Sequence, residues 1–334
     1  MTPIHTEIID HPGAWTHAAL GGKERLILRL DAAQLAAIDM LLERTGHLRP
    51  QQVTRGDFDH PLINNLMAGV REVLLRGRGA LIIAGITPQR YSEEQFQRIY
   101  WGFGTHLGVA AVQSVDGDRL GYVQTRDVDP VNRGYRSPQE LNMHSDSYEI
   151  LGLMSVRPAK SGGITGIVSS LALHNEILRT RPELLEPLYE GFHYASEEAQ
   201  FDDRPVSDTK VPVFSSMQGH VSCHFEIGQL RAAARRLNVE FSKEFAEAVD
   251  YFRALSTRPD LAMHFMLDPG EILLVHNFTN LHSRTAFENF PDRKRLLLRL
   301  WLTLADGRPC HPCMHTRATT YERLYRKALQ HQTN

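Results

Sequence analysis

With 334 residues and a mass of 37.9 kDa, the chain is long enough to bury a sizeable core, as one large domain or two small ones. Its 37 Lys and Arg against 39 Asp and Glu leave a formal charge of -2; this excludes a global field that would draw it to nucleic acid or anionic lipid, and a small-molecule substrate is the default partner. Three cysteines argue against a disulfide framework, and no window approaches the roughly 20 apolar residues of a membrane helix, so the expectation is a cytoplasmic protein with no membrane partner, a homo-oligomer being left open.

In chain order, residues 1–58 read as an N-terminal helical elaboration, whose clearest element is an amphipathic helix over 31–44 with Leu35, Ile38, Leu41 and Leu42 on one stripe. A second helix over 59–75 tolerates Pro61 in its first turn and leads into a buried strand at 80–85. Ser92 and Gln95 then supply a capping box for a helix reaching about residue 103. From about residue 108 the texture turns to short apolar or alternating runs. Strands are expected near 119–125, 148–157, 164–169, 211–215, 221–226, 262–267, 271–277 and 295–304. Helical insertions interrupt them over 171–189 and from about 229, through a segment capped by Ser242, to 255. The pattern predicts a mainly β fold with α decoration, a sandwich or jelly roll with helical insertions. No repeat or low-complexity tract marks a linker, so one main domain over 59–309 is expected, followed by a tail over 310–334. The tail holds Cys310 and Cys313 with His311 and His315 nearby, a lone CxxC with no second ligand pair to complete a zinc site.

Chemistry enters with the histidines. A non-haem iron centre needs two imidazoles and one carboxylate on one face, with the opposite positions open. Its local signature is His-x-Asp or His-x-Glu, and the chain holds four: His5/Glu7, His144/Asp146, His174/Glu176 and His224/Glu226. The first lies in a terminus expected to fray, and the third falls inside a predicted helix, where an i, i+2 pair points about 200° apart. The other two sit in or beside predicted strands, where i and i+2 face the same way. His144/Asp146 is favoured because a strand, a Gly162-Gly163 turn and another strand follow it, which sets it at the mouth of a β-core. His282, just after the predicted strand 271–277, is the distant third ligand.

The strand over 295–304 reads either as an exposed face with solvated arginines or as an anion site. Its even positions from 296 to 304 are all Leu, while Arg295, Leu297, Arg299, Trp301 and Thr303 share the other face. Two guanidiniums on one face match carboxylates, which Arg binds bidentately.

At these residues the sequence resembles the taurine dioxygenase (TauD/TfdA-like) family of the clavaminate synthase-like superfamily. Three blocks carry the likeness: Met143-His144-Ser145-Asp146-Ser147, Arg157 to Gly163, and His282 to Glu288 continuing through Arg295 to Trp301. The resemblance runs over about 60–309 and implies a double-stranded β-helix, or jelly roll, using iron(II), 2-oxoglutarate and O2. It makes His144, Asp146 and His282 the iron ligands, Arg295 the partner of the distal carboxylate of 2-oxoglutarate, and Thr165 a further contact to that cosubstrate. Arg299 falls where relatives contact the anionic group of the substrate, so a small anionic metabolite, amino acid or natural-product intermediate is expected, hydroxylated with release of succinate and CO2. The carboxylate at Asp146 favours hydroxylation over halogenation, while desaturation, epoxidation or cyclisation starts from the same site. A metal-dependent hydrolase and a non-catalytic 2-oxoglutarate-binding protein are the rival readings. The polar run from Phe201 to Lys210 reads as either a lid or a solvated loop.

Overall fold

The computed structural model describes residues 3–114, 116–126, 134–195, 202 and 204–332. The chain begins with α1 (His17–Leu20), β1 (Ile27–Arg29), α2 (Ala32–Thr45), α3 (Pro61–Leu75), β2 (Ala80–Ala84) and α4 (Glu93–Leu107). It continues through β3 (Val109–Ala110), β4 (Gly121–Val123), β5 (Leu141–His144), β6 (Ile150–Arg157), β7 (Ser161–Gly162) and β8 (Thr165–Ser169). Next come α5 (Ser170–Thr180), α6 (Leu185–Glu190), the hairpin β9 (Phe214–Met217) and β10 (His220–Cys223), α7 (Ile227–Leu237) and α8 (Lys243–Ser256). The last elements are β11 (Met263–Phe265), β12 (Ile272–His276), β13 (Asn280–Arg284), β14 (Phe287–Glu288), β15 (Leu296–Thr303) and α9 (Thr316–Gln332).

Successive side chains of a strand point to opposite faces, so an uninterrupted apolar run can serve two cores at once. On β15, Leu296, Leu298, Leu300 and Leu302 pack with α2, α3 and α4, whereas Leu297 and Trp301 face the second sheet. β12 divides the same way, Ile272 and Leu274 toward the helices, Leu273 and Val275 toward the sheet. The first sheet runs β1-β2-β12-β6-β15-β3, with β4 also pairing β15, and only its β1–β2 pair is parallel. The second, β11-β8-β13-β5, is antiparallel. Ile167, Met263 and Phe265 meet the first sheet from it, and its outer face is covered by α5 to α8 and the β9–β10 hairpin through Met143, Val168 and Leu281. The result is helices, sheet, sheet, helices.

Each expected strand is present within a few residues, but "mainly β" needs correction, because helices occupy more of the described chain than strands do. Two stacked sheets leave two outer apolar faces, and both need a helical cover. The helix expected over 171–189 is broken: Arg181 leaves helical space (φ -147, ψ 61) before Pro182, whose ring disfavours the α conformation in the preceding residue. The strand expected over 221–226 ends at Cys223. Residues before 59 are woven into the main core, β1 pairing β2 and Ile38 and Leu41 of α2 packing there. The tail is a helix, α9, whose Tyr321 and Leu324 are buried three residues apart, with the Tyr321 ring 5.7 Å from that of Trp301.

Because Leu298 is fully buried between the first sheet and its helices, Leu298→Ala is expected to cost about 2–5 kcal/mol in chemical denaturation. Leu62→Ala, at a position 39% exposed, should cost less than about 0.5 kcal/mol.

Candidate active site

Strand pairing builds the centre of the site. In the β5–β13 ladder His144 stands directly opposite His282, and the two rings lie 4.2 Å apart between centroids. Asp146 follows two residues beyond His144, past the end of β5, with Oδ2 3.6 Å from His282 Nε2. That same oxygen accepts a 2.8 Å hydrogen bond from the indole Nε1 of Trp301, on β15 of the opposite sheet. One donor atom from each of His144, Asp146 and His282 lies within 4.8 Å of the others, and among the described residues no other group of three His, Cys, Asp or Glu does this.

The donor set fits a divalent metal. His144 Nδ1 lies 2.8 Å from the carbonyl oxygen of Asn142. A carbonyl only accepts, so Nδ1 carries the proton, and in the neutral imidazole Nε2 is the nitrogen left with a lone pair for a metal. Two imidazoles and a carboxylate on one side of a cavity make the facial arrangement used by non-haem iron. Trp301, fully buried and stacked on Tyr148 at 5.1 Å, holds the carboxylate from behind.

A cavity of about 180 Å³ opens in front of these residues, with Leu151, Leu153 and Leu297 on its apolar wall and Thr165, Arg284, Arg295 and Arg299 around it. Glu140 and Glu226 also line it. The three arginines are 6%, 5% and 7% exposed. Burial pushes the Arg295 guanidinium down to about 9, with repulsion from Arg284 adding to the shift, and burial alone takes Arg284 down to about 10. Guanidinium groups nevertheless keep their protons near neutral pH, so the cavity holds buried positive charge and favours an anion. Arg299 is held differently: its Nε donates to Gln113 Oε1 at 2.7 Å, and its Cζ lies 4.4 Å from the centroid of the Tyr135 ring and 3.9 Å from that of Trp301.

All six residues singled out in the sequence, His144, Asp146, Thr165, His282, Arg295 and Arg299, line this one cavity. The competing pair does not form: Glu226 caps α7, accepting from the backbone N–H groups of Gly228 and Gln229, and His224 Nδ1 lies 3.2 Å from Ser145 Oγ. His174 is buried in α5 with Nε2 3.0 Å from the Tyr189 hydroxyl. His5 lies 5.8 Å from the His174 ring, so this part of the terminus is docked rather than frayed. In the tail, Cys310 meets His315 at 3.2 Å and Cys313 meets His311 at 2.7 Å, two separate pairs. Of the lid segment, Phe201 and Asp203 lie outside the described residues, while Asp202 is buried and paired with Arg323 at 2.7 Å. Arg284, Gln113 and the indole donor of Trp301 were not foreseen. Arg284 is legible only once 280–284 is taken as a strand, since it then shares a face with His282.

With this geometry in hand, the family match is informative. The taurine catabolism dioxygenase TauD, TfdA family matches residues 44–301, and the chain belongs to that family. It is accordingly an oxidoreductase that uses iron(II) and 2-oxoglutarate, which sets aside the hydrolase and non-catalytic readings. The FR-33289 synthase of Streptomyces rubellomurinus is 27% identical over 324 residues, 92% of this chain and 94% of that protein. The structure of asparagine oxygenase in complex with Fe(II), 2S,3S-3-hydroxyasparagine and succinate matches with a TM-score of 0.65 at 15% identity, over 83% of this chain and 93% of that one. The non-heme iron oxygenase OrfP in complex with Fe and alpha-ketoglutaric acid matches with a TM-score of 0.59 at 17% identity, over 83% and 94%. At such identities these two structures speak for the fold. No described helix is long and apolar enough to cross a membrane.

Trp301→Phe removes the only N–H of that side chain and keeps a ring in the stack. It should weaken iron(II) binding by roughly 10- to 100-fold in anaerobic competition with a chelator while the circular dichroism spectrum is retained.

Proposed function

We propose that this chain hydroxylates an unactivated carbon of a small anionic metabolite, an amino acid or a natural-product intermediate, consuming 2-oxoglutarate and O2 and releasing succinate and CO2. The observation that carries this is the convergence of His144, Asp146, His282 and Arg295 on one cavity with apolar walls. His144, Asp146 and His282 are the iron ligands in this proposal. Arg295, with Thr165 near it, binds the distal carboxylate of 2-oxoglutarate, and Arg299 binds the anionic group of the substrate. When bound, the iron and cosubstrate supply the oxidising power that removes hydrogen from carbon.

The chain's own residues do the rest. The Asn142 carbonyl fixes the tautomer of His144, and the Trp301 N–H fixes the rotation of the Asp146 carboxylate. Arg299 cannot swing freely, being gripped by Gln113 and flanked by Tyr135 and Trp301, so it offers a preset docking point for an anion. Leu151, Leu153 and Leu297 exclude water from the space between that point and the ligands. The named chemistry of the relatives supports the class of substrate: one is a synthase from Streptomyces, and another is an asparagine oxygenase recorded with a hydroxylated amino acid and succinate.

A screen of small carboxylates, amino acids, sulfonates and phosphonates should yield compounds that raise O2 uptake and succinate release together, with a product heavier by one oxygen atom. For such a substrate Arg299→Ala should raise KM by about 10- to 100-fold, the loss expected for a charged hydrogen-bonding partner. An unchanged KM with persisting turnover would contradict the role given to Arg299.

A further inference from the structure

Arg284 enters the cavity from β13, two residues beyond His282 and therefore on the same strand face. The β13–β8 register sets it directly opposite Thr165. Its guanidinium carbon lies 4.7 Å from the Phe287 ring, which Arg295 approaches at 5.1 Å, so two cations share one aromatic neighbour.

The hydrogen bonding of Arg284 is incomplete. Nη2 donates to the carbonyls of Ser137 and Gln139, but Nε and Nη1 are buried with no partner, as is Nη1 of Arg295. Neither arginine forms an ion pair among the described residues. Like charges buried in the lining of one cavity repel, and unmet N–H donors lose their hydration without replacement. One anion placed between the two would relieve both costs, and a carboxylate, with two oxygens and about four lone-pair sites, has the capacity.

We propose that Arg284 and Arg295 form a two-guanidinium clamp for the distal carboxylate of 2-oxoglutarate, so that the chain selects a 2-oxo acid bearing a second carboxylate over a monocarboxylate. The clamp rests on the cosubstrate site proposed above. Arg284 has a second duty: by holding the carbonyls of Ser137 and Gln139 it ties the segment that leads into β5, and hence His144, to the anion end of the cavity. Loss of its charge therefore has two separable effects, one on the dicarboxylate and one on everything bound at the metal.

The test uses the anaerobic, iron(II)-loaded protein as wild type, Arg284→Met and Arg284→Lys, titrated with 2-oxoglutarate and with 2-oxobutanoate, which chelates through the same 2-oxo acid but lacks the distal carboxylate. Binding is followed by calorimetry and by the visible absorbance of the chelate. Arg284→Met is expected to weaken 2-oxoglutarate by about 10- to 100-fold more than it weakens 2-oxobutanoate, with Arg284→Lys recovering part of the difference. Equal weakening of both acids in Met and Lys variants would reduce Arg284 to a support for β5 and overturn the clamp. Unchanged 2-oxoglutarate affinity, with only a substrate KM raised, would assign Arg284 to the substrate and overturn it too. If wild type fails to bind 2-oxoglutarate at all, the cosubstrate site itself falls, and the clamp with it; the wild-type titration separates that case from the others.

Discussion

One antiparallel register carries the site: His282 of β13 opposite His144 of β5. Side chains alternate along a strand, so a slip of one residue would turn His282 to the opposite face, among the apolar groups that pack under α5 and α8. The register is held from the far side as well, because β13 pairs β8 along its whole length, from Asn280 opposite Ser169 to Arg284 opposite Thr165. The same ladder that pairs the two histidines thus brings Thr165 and Arg284 together at the other end of the cavity. Asp146 has no ladder to hold it, lying beyond β5, and its carboxylate takes its direction from Trp301 across the sandwich. Through that hydrogen bond the spacing of the two sheets bears on where the Asp146 carboxylate stands.

Charge is the second constraint. Three buried guanidiniums around a cavity of about 180 Å³ are costly in an unliganded protein, and they differ in how the cost is met. Arg299 has a neutral acceptor in Gln113 and two aromatic faces, so it is positioned before any ligand arrives. Arg284 and Arg295 keep buried donors without partners, so most of their stabilisation waits for an anion. With a dicarboxylate cosubstrate and, as proposed, an anionic substrate, the ligands bring negative charge to these guanidiniums.

Much of this was legible in the residues, and the exceptions have physical causes. The alternation in Arg295–Leu304 sorted correctly, the even leucines facing the helices and Arg299 and Trp301 the sandwich interior. The even face is not the sandwich core, however, because a strand buried on both sides shows no polar face to orient it. β5 and β13 escaped notice because their site-facing residues, including His144, His282 and Arg284, are polar, so the strands lack the apolar signal that betrays a strand. His224 and Glu226 looked like a strand pair until the end of β10 at Cys223 and the capping of α7 by Glu226 removed the premise. α9 was hidden by its charged composition, since among its described side chains only Thr320, Tyr321 and Leu324 are buried.

The central claim is that His144, Asp146 and His282 form one iron centre that accepts 2-oxoglutarate. Its most direct test is anaerobic addition of iron(II) and then 2-oxoglutarate to the apo-protein, watching for the weak visible charge-transfer band of the chelate. The account predicts a band that needs both components and is lost in folded His144→Ala and His282→Ala variants. A folded wild-type protein that gives no band, or a band that survives both substitutions, would contradict it.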